Sequence, residues 1–207
     1  MRQVIVQISA PEALRKRATR LFAVKELLNN GDTGLGEGPE AESILNDGIA
    51  YISCRSGKVK MMSLEDTLAF GMAADFDTST PIFRKEKISS LKELEKAIGR
   101  YTDPDAVWLM KGRGRFLRMI LRDGLRPGDT TTAEGEYGNL VGVYCPQMLE
   151  GLNQPGWRFH FLSTDCRRGG YVEELSAESL EWQLNRLDEI DVILSGGKTS
   201  KGDGKNE

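Results

Sequence analysis

The 207-residue chain has a single histidine, and the residues around it hold the densest chemistry in the sequence. It lies in Gly156-Trp157-Arg158-Phe159-His160-Phe161-Leu162-Ser163, which is followed by Gly169-Gly170-Tyr171-Val172. On a strand, alternation sends Trp157, Phe159 and Phe161 to one face and Arg158, His160 and Leu162 to the other. The glycine pair permits a tight turn or a close backbone approach. If the next segment pairs as an antiparallel strand, Tyr171 returns to the polar face and meets Arg158 and His160. An imidazole and a phenol beside a permanent cation can move a proton and hold an anion. Spacing alone favours a plainer reading, a satisfied histidine on a half-exposed sheet face with an arginine beside it.

The same stretch resembles the zinc-binding core of the acetolactate decarboxylase family. There a Tyr-His-x-His-Phe strand, a short charged turn and a Gly-Gly-His supply three histidine ligands. In this sequence the first ligand position holds Arg158, the second keeps His160 and the third holds Tyr171. The resemblance implies two further site residues. Glu42, at the equivalent distance before Asp47-Gly48, stands where the family has an active-site glutamate. Arg122 stands where the family has an arginine for the substrate's carboxylate or enolate oxygens. Without the resemblance, Glu42 reads as an exposed member of an acidic loop with Glu37 and Glu40, and Arg122 as a solvent-facing arginine on an edge strand. Leu140-Val141-Gly142-Val143-Tyr144 is similar to a Gly-Thr-Leu-Val-Gly-Phe strand of the family.

In the family, zinc acts as a Lewis acid on the oxygens of acetolactate. Arginine stays protonated and has no lone pair to give, and tyrosine ligates only as the phenolate. The sequence therefore predicts no zinc and no other cofactor, with His160, Arg158, Tyr171, Arg122 and Glu42 as the catalytic set. The expected function is an acetolactate-decarboxylase-like lyase, isomerase or cyclase acting on a small ketone or β-keto acid through an enolate-type intermediate. Two alternatives stay open. One is a genuine acetolactate decarboxylase with a zinc site rebuilt through Tyr171 or Cys166, and the other is a non-catalytic protein that binds small carboxylates.

Composition narrows the partners. The net charge of −3 comes from 28 basic and 31 acidic residues with no basic stripe, which argues against nucleic acid. Cys54, Cys145 and Cys166 are far apart and outside any Cys-x-x-Cys spacing, so reduced thiols are expected. The first residues have no long apolar run and no stretch is apolar enough to span a bilayer, so a soluble cytoplasmic protein is expected. The family resemblance adds a homodimer and a small-molecule substrate.

The elements that must position the site are read from pattern. Residues 3–8 read as a strand, and Ser9, Pro11 and Glu12 as the start of a helix with Leu14, Ala18, Leu21 and Phe22 on one face, stopping near Gly31. The glycines from Gly31 to Gly38 follow a helix and lack the Lys-Ser/Thr of a phosphate loop, and Gly196-Gly197-Lys198-Thr199 lacks the upstream glycine, so no nucleotide site is expected. Asn46-Asp47-Gly48 between apolar runs predicts a tight hairpin. Strands are expected near 58–62 and 67–76. Ser90 and Glu93 open a helix with Leu91, Leu94, Ala97 and Ile98 on its buried stripe, ending near Gly99. Residues 106–111 and 114–122 read as a hairpin turning at Gly112-Arg113-Gly114, with Arg118 and Arg122 on the face of Phe116 and Ile120. Residues 123–136 read as a loop and 137–144 as a strand. Leu180, Trp182 and Leu184 alternate as on a strand, as do Ile190, Val192 and Leu194, although residues 178–188 also fit a helical stripe. These elements and the resemblance imply a mixed α/β (α+β) fold of two mostly antiparallel or mixed sheets with a few helices. The expected division is an N-terminal mixed sheet with two helices (1–122), a C-terminal antiparallel sheet carrying the altered motif (123–194) and a disordered tail (195–207).

Overall fold

The structure is a computed structural model and describes residues 3–9, 21–122, 124–125 and 128–194. The expected helix start at Pro11, Glu12, Leu14 and Ala18, and the tail from Ser195, lie outside the described residues. In chain order the elements are β1 (Val4–Ile8), β2 (Phe22–Ala23), α1 (Val24–Leu28), β3 (Thr33–Glu37), β4 (Glu42–Asn46), β5 (Ile49–Ser53), β6 (Val59–Met61), β7 (Thr67–Leu68), β8 (Phe70–Ala74), β9 (Phe83–Ile88), α2 (Leu91–Ile98), β10 (Val107–Arg122), β11 (Thr130–Cys145), β12 (Gly156–Ser163), β13 (Gly169–Leu187) and β14 (Glu189–Ile193).

Two large sheets dominate the described residues. The first runs β14-β1-β8-β3-β4-β5-β6 and is mixed, because β14 lies parallel to β1. The second runs β10-β11-β12-β13-β9 and is antiparallel, and a further β10–β13 pairing closes it on itself. Phe116, Phe159, Phe161, Leu140 and Trp182 fill the inside of this closed sheet, and Leu94 and Ile98 of α2 pack against the same cluster. A second cluster joins the two sheets face to face, with Leu35, Ile44 and Met72 meeting Val141, Val143 and Leu162. The other face of the first sheet packs Leu45, Ala50 and Ala73 under Val24 and Leu27 of α1. Ile44 and Leu45 fall on opposite sides, as a period of two requires.

Local chemistry explains the elements that match expectation. Asp47 (φ 51°) and Gly48 (φ 75°) give the turn between β4 and β5 two positive φ angles, the geometry of a two-residue hairpin. Ser90 caps α2 by accepting from the Glu93 N–H at 3.2 Å, while the Glu93 carboxylate accepts from Ser89 N–H at 2.8 Å and Ser89 Oγ at 2.6 Å. The stretch at 178–188 is strand, as its alternation indicates, within the long β13.

Several expectations are corrected. Leu21 and Phe22 do not lie on a helix that ends at Gly31; Phe22 is in β2 and the helix begins at Val24. Gly34 and Gly36 lie inside the strand β3. A Cβ at Gly36 would sit 2.6 Å from Ser43 Oγ and 2.8 Å from Phe70 O, so they are where neighbouring strands press on a fully buried strand. Gly112 and Gly114 do not turn the chain, because β10 is continuous and a Cβ at Gly114 would run into the Ser179 carbonyl of β13. Phe116 is buried with Met119 and Leu121, not on the face of Arg118, because the β10–β13 pairing shifts register at three places and resets the alternation. Thr130 to Glu136 belong to β11 instead of a loop, three consecutive threonines favouring the extended chain. The sheets also do not follow a division at residues 122 and 123: β9 and β10 lie in the second sheet, and β14 returns to the first.

Candidate functional site

The strand carrying the histidine behaves as its pattern demands. Phe159 and Phe161 turn into the closed sheet, and Trp157 stacks on Phe159 with ring centroids 5.2 Å apart. Arg158, His160 and Leu162 turn the other way, toward the first sheet. His160 lies directly opposite Tyr171 in the β12–β13 register, and the rings meet edge to face at 5.5 Å. Gly170 makes this possible. Its φ is +149°, and a Cβ there would sit 3.2 Å from the Arg122 carbonyl oxygen.

Glu42 enters from the first sheet. It begins β4 two residues before Ile44, so its side chain points at the junction between sheets, and that side chain is only 9% exposed. Its Oε2 is 3.3 Å from His160 Nε2, and its Oε1 is 3.5 Å from Arg122 Nη1. Arg122, at the end of β10, donates from Nε to Glu173 Oε1 at 2.9 Å and lies 4.1 Å above the Tyr171 ring. Four strands from two sheets thus bring Glu42, Arg122, His160 and Tyr171 together. The carboxylate facing Nε2 fixes the tautomer with hydrogen on Nε2, leaving Nδ1 as the basic nitrogen, and Nδ1 is buried without a hydrogen-bond partner. Burial pushes the Tyr171 hydroxyl up from its usual range, and the charges of Arg122 and Arg158 pull only partly against it, so it stays a neutral donor.

Arg158 is next along the same face and 7% exposed. Its Nη2 donates to Met72 Sδ at 3.2 Å, its Cζ lies 5.3 Å from the Phe70 ring centroid, and its Nε has no partner. Cys145 lies beside it as a neutral thiol, pushed up by burial against the pull of the guanidinium. Sequence reasoning missed Glu173, Met72, Asn153 and Cys145. Of these only Glu173 carried a signal, since it sits two residues beyond Tyr171 on the same strand.

A cleft of about 770 Å³ opens next to Glu42, lined by Glu40, Ala41, Ser53, Arg55 and Asp129 among others. Ser53 Oγ donates to the Glu42 carbonyl at 3.0 Å and so ties the cleft wall to the site. The donor set does not fit a three-histidine zinc centre. Arg158 cannot ligate, Tyr171 is held neutral by burial, and Cys166 is turned to Tyr51, whose hydroxyl burial pushes up to about 12. Among the described residues no three His, Cys, Asp or Glu side chains are grouped to hold a metal ion. None of the described helices is long and apolar enough to cross a membrane.

The family model for alpha-acetolactate decarboxylase matches residues 5–201. An alpha-acetolactate decarboxylase of Streptococcus thermophilus is 30% identical over 188 residues, covering 82% of this chain and 78% of that protein. One from Lactococcus lactis subsp. lactis is 28% identical over 185 residues, with the same coverage. Among solved structures, alpha-acetolactate decarboxylase from Bacillus subtilis strain 168 superposes with a TM-score of 0.84 at 18% identity, covering 94% of this chain and 90% of that one. A Staphylococcus aureus protein of unknown function, similar to alpha-acetolactate decarboxylase, superposes at 0.81 with 19% identity, covering 91% and 88%. The expected two-sheet fold is therefore the fold observed, and the chain belongs to the alpha-acetolactate decarboxylase family.

Proposed function

We propose that this chain is a carbon–carbon lyase of its family's type, releasing carbon dioxide from a small α-hydroxy-β-keto acid, with acetolactate as the first substrate to test. The observation that supports it is the Glu42–His160 pair, closed between two sheets with Arg122 and Tyr171 against it, in a chain of this family. The bond to the carboxylate carbon breaks, and its electron pair moves onto the neighbouring carbonyl oxygen to give an enolate. The enolate carbon then takes a proton, which for acetolactate gives acetoin. Tyr171, neutral through burial, donates a hydrogen bond to the enolate oxygen, and the Arg158 guanidinium charge lowers the energy of the developing anion. That proton comes from water and passes through His160, whose ring is held by Glu42.

The residues at positions 158 and 171 favour a second reading. The same enolate, formed without metal from a different small ketone or β-keto acid, goes on to isomerise or close a ring. The similarity to alpha-acetolactate decarboxylases favours acetolactate, and the altered donor set favours the second reading. A cytoplasmic homodimer belongs to the same proposal, and light scattering tests the dimer.

The deciding experiment is elemental analysis of the purified, untagged protein alongside an acetoin assay with acetolactate. Acetoin without metal supports the first reading as written. Acetoin with stoichiometric zinc means a rebuilt metal site and overturns the metal-free chemistry. No acetoin removes acetolactate and sends the search to other small keto acids. If none turns over, the chain is a binding protein.

A further inference from the structure

We infer that Arg158, and not Arg122, is the anion-binding residue of this site, and that it takes the carboxylate of a small monoanionic ligand. The inference rests on the reading that the junction between the sheets is the substrate site. Arg122 has its charge met inside the protein: Glu173 lies 2.9 Å from its Nε, Glu42 lies 3.5 Å from its Nη1, and its face rests on Tyr171. Arg158 is the reverse case. It is buried, forms no ion pair among the described residues, and has an Nε with no partner.

The groups around Arg158 place the guanidinium without discharging it. A thioether is a weak acceptor and an aromatic face carries only partial charge, so Met72 and Phe70 do not offset the cost of taking a cation out of water. Cys145 is a neutral thiol and supplies no counter-charge. Asn153 turns its Nδ2 toward Met72 Sδ (2.9 Å) and Gln7 Oε1 (2.7 Å), while its Oδ1 accepts from the Gln154 N–H at 2.8 Å. Its oxygen is therefore committed elsewhere. Glu42 and Glu173 are both turned to Arg122, so neither meets Arg158, and the Arg158 guanidinium has no carboxylate partner among the described residues. A planar fork with free donors at such a place is matched by a carboxylate. Arg158 shares a face of β12 with His160, which stands opposite Tyr171 in the register, so the guanidinium and the phenol lie on the same side of the sheet.

The probe is 2-hydroxy-2-methylpropanoate, which has the α-hydroxy carboxylate of the proposed substrate class but no keto group, and so cannot lose carbon dioxide. Isothermal titration of the full chain at neutral pH is expected to show saturable binding. Arg158→Met should weaken it at least tenfold, and Arg158→Lys should keep part of it. The ligand-free Arg158→Met protein should melt at or above the wild-type temperature, which shows that it folds and that the guanidinium is not a structural pairing group. No saturable binding by the wild type, or wild-type affinity in both variants, overturns the inference. The two proposals fail separately. Arginine-dependent binding of the probe without acetoin formation leaves this inference standing and removes acetolactate as the substrate. Acetoin formation with unaltered probe binding in Arg158→Met does the opposite.

Discussion

Replacing Glu42 with glutamine separates its chemical role from its structural one. The substitution keeps the size of a side chain that is only 9% exposed, so no cavity opens. Its amide oxygen still accepts from Arg122, which also keeps Glu173. Two long contacts of 3.3 and 3.5 Å to a carboxylate become contacts to a neutral amide. At the low end for hydrogen bonds to charged groups this costs about 1–2 kcal/mol. For a chain of this size the melting temperature falls by about 2–8 °C. The chemical effect is larger. When the amide N–H₂ faces His160 Nε2, the imidazole must accept there and move its hydrogen to Nδ1, so the basic nitrogen changes place. Loss of a positioned acid–base group lowers kcat by about 10²–10⁴-fold, equivalent to about 3–5.5 kcal/mol of barrier. The assay is turnover of whichever small keto acid proves to be the substrate, read with thermal melts and a long-range ¹H–¹⁵N spectrum of the imidazole. Because the chain has one histidine, that spectrum contains one ring and the tautomer is assigned without ambiguity. A kcat within threefold of wild type in a folded variant refutes the acid–base role. An unchanged tautomer refutes the mechanism of the loss.

Three further outcomes are expected. Arg158→His with Tyr171→His restores the family's three-histidine pattern around His160 on directly facing strands, so the double variant should bind one zinc per chain where the wild type binds none; stoichiometric zinc in the wild type refutes this. Gly114→Ala drives a methyl into the Ser179 carbonyl and should cost at least about 2 kcal/mol, whereas Gly48→Ala meets nothing within 4 Å and loses only about 1–2 kcal/mol through its positive φ, so equal melting temperatures for the two would contradict the packing argument. The Glu93 carboxyl, held down to about 2 chiefly by the hydrogen bonds from Ser89 and then by Lys85, should titrate far below its ordinary 4.5; because the folded value is depressed, its stabilisation of the α2 start is complete above about pH 4.5 and is lost as pH falls through about 2, and a carboxyl ¹³C midpoint near 4.5 would refute this.

What the sequence made legible was short in range. The Asp47-Gly48 turn, the cap at Ser90 and the alternation from Trp157 to Leu162 each depend on residues within a few positions of one another, and each formed as read. Glycine was the main source of error. At Gly34, Gly36, Gly112 and Gly114 it answers to a strand pressed close from the side, and nothing local separates that demand from a turn. Arg122 could be matched to the family's arginine, but not its packing partners, since register shifts between β10 and β13 decide which side chains share a face. Glu42 looked like one acid among three in a loop because the groups that bury it, His160 and Arg122, lie on the other sheet, 118 and 80 positions away. For the same reason Met72, 86 positions from Arg158 and on the other sheet, gave no warning that it flanks the guanidinium.

The changed positions also alter how much charge the site can stabilise, and this bears on the choice between the two functional readings. A zinc ion on three neutral imidazoles, as the resemblance to the family implies, would bring two positive charges to the substrate's oxygens. Arg158 brings one, and Arg122 adds none, because the two carboxylates of Glu42 and Glu173 together outweigh its single charge. Tyr171, kept neutral by burial, can donate a hydrogen bond to an enolate oxygen but cannot take a proton from a substrate hydroxyl at ordinary pH. The site is thus matched to an enolate whose hydroxyl keeps its proton, a monoanion after carbon dioxide has left, because its positive charge is too small to hold the doubly ionised species. Acetolactate satisfies that limit only if its hydroxyl remains protonated throughout. A β-keto acid with no hydroxyl next to the carboxylate satisfies it without condition, so the ratio of turnover on the two substrates reports directly on the charge that replaced the metal.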